Sequence, residues 1–489
     1  MSIAPLFLAI DQGGSSSRAL VYDRFGTLIC KAQRTVEVDH PRLGWVEQDA
    51  LMLVESVKGV IGDVTRQLGS QLNQICAAGL ATQRSNVVCW RKSDGAALSS
   101  AISWQDRRAY QWMDQYSAHS QMVRHKTGLR VSPHYGVSKI HWCLENIPEV
   151  MHALESEDLL CGPLASFLVY KLVNDPKALV DPANASRTLL WNIDAGDWDN
   201  ELLSLFDIPG RTLPRMAATR DEFGYLPVAG HKIPLSLVTG DQSAALFAFG
   251  NPQSDTIYIN MGTGVFIQLP TNSDKIDIEG LLCSVIYKEG NHSEYVIEAT
   301  INGAANALME VEDVLGISGA YAESNLPRWA KKFTNPPLFL NGVAGLAAPY
   351  WIPDFISRFI GQGTPEEQVL AVAESFLFLI RVNLELMKQY IDPISKVVVT
   401  GGLSNSDAIC QKLANLISTP VLRPAEAEAT AQGLAFLVAN RPATWKQVES
   451  YKRFDCVSEP GLTARFKLWE SAMESEVKKY NSATGRRHS

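Results

Sequence analysis

Two stretches of this chain share one local plan, and that repetition limits the fold more than any other feature. "LFLAIDQGGSSSRALVYD" (6–23) is an apolar run, an acidic residue, a glycine-rich turn and a second apolar run; "TIYINMGTGVFIQLP" (256–270) is again run, glycine turn, run. Such runs bounded by glycine read as strands joined by tight turns. After the first unit, "TLICKAQRTVEV" (27–38) extends a meander, and "ALMLVESVKGVIGDVTRQL" (50–68) sets Leu53, Val54, Val57, Val60, Ile61, Val64 and Leu68 on one helical face. The apolar strand "QICAAGLAT" (74–82) follows, and a crossover helix would lay it parallel to the first strand. After the second unit come the strand "EYVIEATI" (294–301), a long helix over 366–390 and the buried strand "KVVVTGG" (396–402). Helices over 406–418 and 426–439 then flank a short strand at 420–424. No short-period repeat is present, so a solenoid is excluded and a duplicated α/β domain is expected. The expected partition is 1–250, 251–445 and a tail region at 446–489, with the boundary near "FAFGNPQSDT" (247–256) and a frayed end at 481–489.

A chain of 489 residues calls for two or three domains, and 46% hydrophobic with 20% charged residues is the balance of a globular protein. The formal net charge of −8 argues against a nucleic-acid partner, for which basic surface supplies most of the affinity. No Lys or Arg precedes Asp11 and no apolar stretch reaches spanning length, so neither a secretory signal nor a membrane span is expected, and a cytoplasmic location is expected. The eight cysteines stand singly, with no Cys-x-x-Cys pair, so they read as buried thiols in a reducing compartment rather than as a zinc or redox motif. The nine histidines show no metal-ligand spacing.

Three glycine turns carry the chemistry: the one after Asp11, "NMGTG" (260–264) and "TGG" (400–402). Gly13 and Gly14 can take positive φ and gather amides that favour an anion. A surface hairpin turn is the plainer reading of that stretch alone. Two phosphate-facing turns, one per domain, and a third for the nucleoside are what a nucleotide held by two similar domains requires. Asp241, in "TGDQSAA", is either the N-cap of the helix that follows or a carboxylate aimed at a substrate hydroxyl. Trp104 is either a core residue or a flat face for a sugar's carbon backbone.

The sequence resembles the FGGY family of carbohydrate kinases, closest to its glycerol kinase branch. The resemblance runs along nearly the whole chain, through "AIDQGGSSSRALVYD", "GWVEQD" (44–49), "ATQRSNVVCW" (81–90), "AISWQDRRA" (101–109), "DPANASRTLLWNI" (181–193), "GDQSAALFAFG" (240–250), "MGTGVF" (261–266), "GLAAPYW" (345–351) and "VVVTGGLSNSD" (397–407). It implies two duplicated ribonuclease-H-like, actin-like ATPase domains with a central cleft, ATP and Mg²⁺, and transfer of a phosphoryl group to a hydroxyl of a small polyol or sugar. By this resemblance Asp241 is the general base, and Asp11 and Asp241 face the metal. Gly14, Ser15, Ser16 and Arg18 form the first phosphate loop, and Thr263 and Gly264 the second. Gly402 packs on the adenine, and Gly303 and Asp407 are further nucleotide positions. Arg84, Trp104, Asp241, Gln242 and Phe266 match the acceptor site.

The same comparison exposes departures. Where glycerol kinases have Gln-Arg-Glu, this chain has Gln83-Arg84-Ser85, and His134 occupies the place of a tyrosine, with Tyr135 one position on. A lost carboxylate weakens binding of a small polyol by roughly 1.5–3 kcal/mol per hydrogen bond. The space at Ser85 suits a longer acceptor, such as a tetritol or ketopentose. Ser406-Asp407 replaces Asn-Asn at the adenine loop, which bears on nucleotide preference. The segment 352–375 is short and lacks the family's Thr-Arg pair, which bears on regulation and leaves a homo-oligomer admitted rather than required. A non-catalytic binding protein on the same fold is the competing class. Retention of Asp11, Arg18, Asp241 and Thr263 disfavours it.

Overall fold

The computed structural model describes residues 5–271, 275–390, 393–425, 428–445 and 450–484. The chain forms two compact units. The first comprises Met1–Pro252 with Ser284–Tyr295 and Glu428–Glu449; the second comprises Gln253–Cys283, Val296–Ala427 and Ser450–Ser489.

The first unit is built on a six-stranded sheet in the order Arg220–Val228, His231–Gly240, Ile75–Thr82, Leu6–Gln12, Ser16–Asp23, Leu28–Thr35. The Leu6–Gln12 strand runs antiparallel to Ser16–Asp23 and parallel to Ile75–Thr82, which in turn is parallel to His231–Gly240. The helix Ala50–Leu68 makes the crossover and buries all seven side chains of its apolar face. Its N-terminus is capped by Asp49, whose carboxylate accepts from the amides of Leu51 and Met52, and Gly69 ends it in a conformation with positive φ.

A further helix on this sheet, Ala429–Val438, comes from the far end of the sequence and falls in the first compact unit. Two glycines make room for it. A Cβ at Gly79 would meet Val438 Cγ2 at 2.5 Å, and one at Gly433 would meet the Ala244 carbonyl oxygen at 1.9 Å. The first two residues of the expected 426–439 helix lie outside the described residues.

The second unit holds most of a seven-stranded sheet in the order Leu282–Glu289, His292–Ile301, Val265–Pro270, Thr256–Met261, Lys396–Thr400, Val421–Pro424, Tyr451–Phe454, of which the segment Ser284–Tyr295 is counted with the first unit. Its long helix, Pro365–Lys388, opens with a capping box between Thr364 and Glu367 and is buried along most of its length. The region expected as a tail contains instead the helix Pro460–Thr484. Leu462, Phe466, Trp469, Met473 and Val477 recur at helical spacing and lie buried in the unit's core. Trp469 Nε1 donates to the Phe339 carbonyl at 2.9 Å, and Arg465 pairs with buried Glu374 at 2.6 Å. Residues 485–489 of the expected frayed end lie outside the described residues. No helix among the described residues is long and apolar enough to cross a membrane. The cysteine expectation needs one correction: all eight are free, but Cys76 and Cys456 are exposed.

Candidate functional site

Three neighbouring parallel strands of the first unit deliver their ends to one place. Asp11 pairs in register with Ala81, and Ala81 with Thr239, so Asp11, the Gln83-Arg84-Ser85 turn and Asp241 all lie at the carboxyl ends of adjacent strands. Open α/β sheets bind ligands at such ends, because several chain segments leave the sheet there together.

The first turn joins two of these strands. Gly14 and Ser15 are exposed at its tip, while their carbonyls are occupied from behind by Gln48 Nε2 (3.1 Å) and the Val36 amide (3.0 Å). Buried Gln83 bonds Gln48 at 2.7 Å and Gln12 at 3.3 Å, so three glutamines brace the turn. Neither Gly13 nor Gly14 adopts the left-handed conformation, contrary to expectation. A Cβ at Gly14 would meet nothing closer than Gln83 Oε1 at 3.6 Å. The chain's own packing does not require glycine at Gly14; close approach of a ligand would. Ser16 is buried at the start of the second strand.

Below the turn Asp11 lies opposite Arg18 in the strand pair, with Arg18 Nη1 3.8 Å from Asp11 Oδ2 and 3.2 Å from Glu428 Oε2. Burial pushes the Asp11 carboxyl up to about 7; the charges of Asp241 and Glu428 add to this and Arg18 opposes it.

Asp241 is the first residue of the helix Asp241–Leu246, and Gly240 occupies the cap position without a side-chain bond, so the N-cap reading of Asp241 fails. Its Oδ1 accepts from the Gln242 amide at 2.7 Å. Burial raises its pKa, against the lowering influence of Arg84, the Gln242 amide and Arg187. Arg84 is buried and donates through Nη2 to Gln242 Oε1; its stem lies where a Cβ at Gly240 would stand, 2.5 Å from Cδ. Ser85 follows with φ of 64°, is buried, and its hydroxyl has no hydrogen-bond partner among the described residues.

Trp104, His134 and Tyr135, expected at the acceptor site, neighbour one another. Trp104 is half-buried, its amide held by Asn86 Oδ1 at 2.9 Å, and its ring lies 5.4 Å from that of His134. His134 lies 5.1 Å from Tyr135, and Arg187 sits over the Tyr135 ring at 5.5 Å. Burial and the nearby Arg107, Arg187, Lys139 and Arg84 push His134 well below the ordinary histidine value, leaving a neutral imidazole. Sequence reasoning did not single out Lys139. Its buried Nζ donates to the carbonyls of Pro133 (2.6 Å), His134 (2.9 Å) and Tyr135 (3.3 Å), pinning this loop to the helix Gly136–Asn146. It also missed Glu428, whose link to Arg18 spans most of the sequence, and Arg187, which donates to Ser284 Oγ at 2.9 Å.

In the second unit the turn Gly262–Thr263–Gly264 joins Thr256–Met261 to Val265–Pro270. Gly264 is required by packing, since a Cβ would stand 2.6 Å from the Ile301 carbonyl oxygen. The Gly262 and Thr263 carbonyls receive amides from Ala304, Ala305 and Asn306. Phe266 is half-buried on the strand beyond. Gly303 is hemmed in by Asn341 Oδ1 at 2.6 Å and Val343 Cβ at 3.0 Å, so packing accounts for that glycine. Gly402 faces open space, with nothing within 4 Å of its missing Cβ. Asp407 begins the helix Asp407–Ile417 and spends its carboxylate on Arg423 (2.8 Å) and Lys452. Those ion pairs hold its pKa below the usual range and supply a structural role for it.

The N-terminal domain of the FGGY family of carbohydrate kinases matches residues 6–248, and the C-terminal domain of that family matches residues 257–440. A glycerol kinase of Shewanella frigidimarina is 30% identical over 488 residues, covering 97% of this chain and 98% of its own. One from Alkalilimnicola ehrlichii is 33% identical over 443 residues, covering 88% and 89%. Among solved structures, a Plasmodium falciparum glycerol kinase with ADP superposes with a TM-score of 0.84 at 21% identity over 99% of this chain and 98% of its own. A xylulose kinase from Rhodospirillum rubrum gives 0.84 at 16% identity over 98% and 100%. The fold is thus the two-domain α/β fold of the sugar kinases, within the actin-like ATPases.

Proposed function

The chain belongs to the FGGY family of carbohydrate kinases, and from that premise we propose that it transfers the γ-phosphoryl group of ATP to a hydroxyl of a polyol or sugar longer than glycerol. A kinase of this family takes ATP as donor and a sugar or polyol as acceptor; ATP as donor fits work in the cytoplasm. The observation that carries the finer reading is Ser85. A serine held at φ of 64°, buried and with its hydroxyl unpartnered, costs on the order of 1 kcal/mol in backbone strain and more in lost hydrogen bonding. A hydroxyl of a four- or five-carbon acceptor would recover that loss, and His134 and Tyr135 beside Trp104 would add polar edges to the flat indole face.

Asp241 acts as the general base. Its burial raises its proton affinity, so it accepts the acceptor's proton as the O–P bond forms. Arg84, fixed by Gln242, and Arg187 keep its charge compensated between turnovers. Arg18, with Gly14, Ser15 and Ser16 at the tip, meets the phosphates; Thr263, Gly264, Gly303, Gly402 and Asp407 complete the nucleotide set, and Phe266 the acceptor set. The donor chemistry near Asp11 fits Mg²⁺: burial and the charge of Asp241 raise the cost of ionising Asp11, and Mg²⁺ needs only one or two carboxylates beside phosphate oxygens and water. When bound, Mg²⁺ supplies neutralisation of phosphate charge.

The test is ADP release across glycerol, tetritols, pentitols and ketopentoses. A four- or five-carbon acceptor is expected to give the highest kcat/KM, and leadership by glycerol would overturn the acceptor assignment.

A further inference from the structure

Arg18 is the cation that the proposed reading sets against the transferring phosphate, and what holds it there comes from outside the recognised motifs. Glu428 immediately precedes the helix Ala429–Val438, which the glycines at 79 and 433 allow to pack tightly in the first unit. Its two carboxylate oxygens divide their work: Oε2 accepts from Arg18 Nη1 at 3.2 Å, and Oε1 faces Lys31 Nζ at 3.5 Å. Arg18 lies on the second strand of the sheet and Lys31 opposite Leu20 on the third, so the carboxylate bridges cations on two adjacent strands. Arg18 Nε is buried without a partner among the described residues, and Asp11 stands 3.8 Å from the same Nη1 that Glu428 holds. The guanidinium is therefore oriented chiefly from one edge. A planar fork gripped at one edge presents its remaining donors in a fixed direction.

We propose that Glu428 is a positioning residue for phosphoryl transfer, its carboxylate setting the Arg18 guanidinium against the phosphates. This rests on the reading that Arg18 meets the phosphates. Exposed ion pairs contribute little to folding, and both Arg18 and Glu428 are partly exposed, so the pair's effect falls on the reaction rather than on stability.

The experiment measures kcat, the KM for ATP, the KM for the best acceptor and the melting temperature for Arg18→Gln, Glu428→Gln and the double variant. Arg18→Gln is expected to lose about 10²–10³ in kcat, as removal of a transition-state donor does. Glu428→Gln is expected to lose roughly tenfold in kcat, with the acceptor KM and the melting temperature unchanged, and the double variant to be no slower than Arg18→Gln. Normal turnover in Glu428→Gln, or a double variant slowed by the product of the two losses, overturns the proposal. Normal turnover in Arg18→Gln overturns instead the reading beneath it. Should Glu428→Gln melt early, Lys31→Gln releases only the far oxygen of the carboxylate. It is expected to cost a few-fold in kcat alone, and an unchanged kcat there counts against the proposal.

Discussion

Below the turn at residues 13–15, Asp11 lies across the strand pair from Arg18; at the corresponding place below Gly262–Gly264, Asn260 lies across from Phe266. The backbone plan is the same, strand, glycine turn and strand, with a parallel neighbour on one side. The loads differ. The first turn has a carboxylate raised to about 7 and a guanidinium gripped by a residue from the far end of the chain. The second has a glycine forced by a carbonyl 2.6 Å from its missing Cβ. A duplicated fold can keep one architecture while charge is concentrated in one copy, because strand pairing fixes the backbone and leaves the facing side chains free to change.

The largest expected effect lies beside the charged turn. Asp241→Asn keeps the shape and removes the proton acceptor, so turnover is expected to fall by about 10²–10⁴ while ATP and the acceptor still bind. Turnover within a few-fold of wild type would take Asp241 out of the mechanism. Next comes a matched pair of glycine substitutions. Gly264→Ala drives a Cβ into backbone and is expected to lower unfolding stability by about 1–3 kcal/mol. Gly14→Ala meets no close atom and is expected to melt within about 0.5 kcal/mol of wild type, while raising the KM for ATP. Equal stability losses at both turns would erase the contrast drawn between them.

The smallest effect concerns burial without function. Asp181 is fully buried, bonds the Asn184 amide at 3.1 Å and Asn184 Nδ2 at 2.8 Å, and is pushed up to about 7, burial outweighing those bonds. A folded-state pKa above the unfolded 3.8 means that the folded chain holds the proton more tightly. The resulting stabilisation is full below about pH 4 and is lost as pH rises through about 7. The advantage of wild type over Asp181→Asn in chemical denaturation is therefore expected to shrink by on the order of 1 kcal/mol between pH 6 and pH 7. A pH-independent difference would contradict the assigned shift.

Local patterns in the sequence foretold local structure closely. The helix 50–68 has the bounds its periodicity implies, and the strands around both glycine turns lie where alternation with glycine places them. Destinations were harder to read. "ATAQGLAFLV" announces a helix buried on all sides but not the sheet that buries it, and Gly79 and Gly433 gain their meaning only once the helix is docked. The helix Pro460–Thr484 carried a legible signal, Leu462, Phe466, Trp469, Met473 and Val477, which polar residues between them obscured. Among the candidate site residues, Asp11, Arg84 and Asp241 are expected from motif resemblance, and the strand pairing brings them to adjacent strand ends. The contacts of Glu428 and Lys139 are ones that no short motif encodes.

The most direct test of the account returns to Ser85. Its central claim is that the vacated space and the unpartnered hydroxyl there select an acceptor longer than glycerol. The measurement is the ratio of kcat/KM for glycerol to that for the best four- or five-carbon acceptor, in wild type and in Ser85→Glu. The account predicts a ratio below one in wild type. It predicts a rise of roughly tenfold or more in Ser85→Glu, as a carboxylate regains charge-assisted bonds worth about 1.5–3 kcal/mol to the shorter polyol. A ratio above one in wild type, or one that Ser85→Glu leaves unchanged, would contradict it.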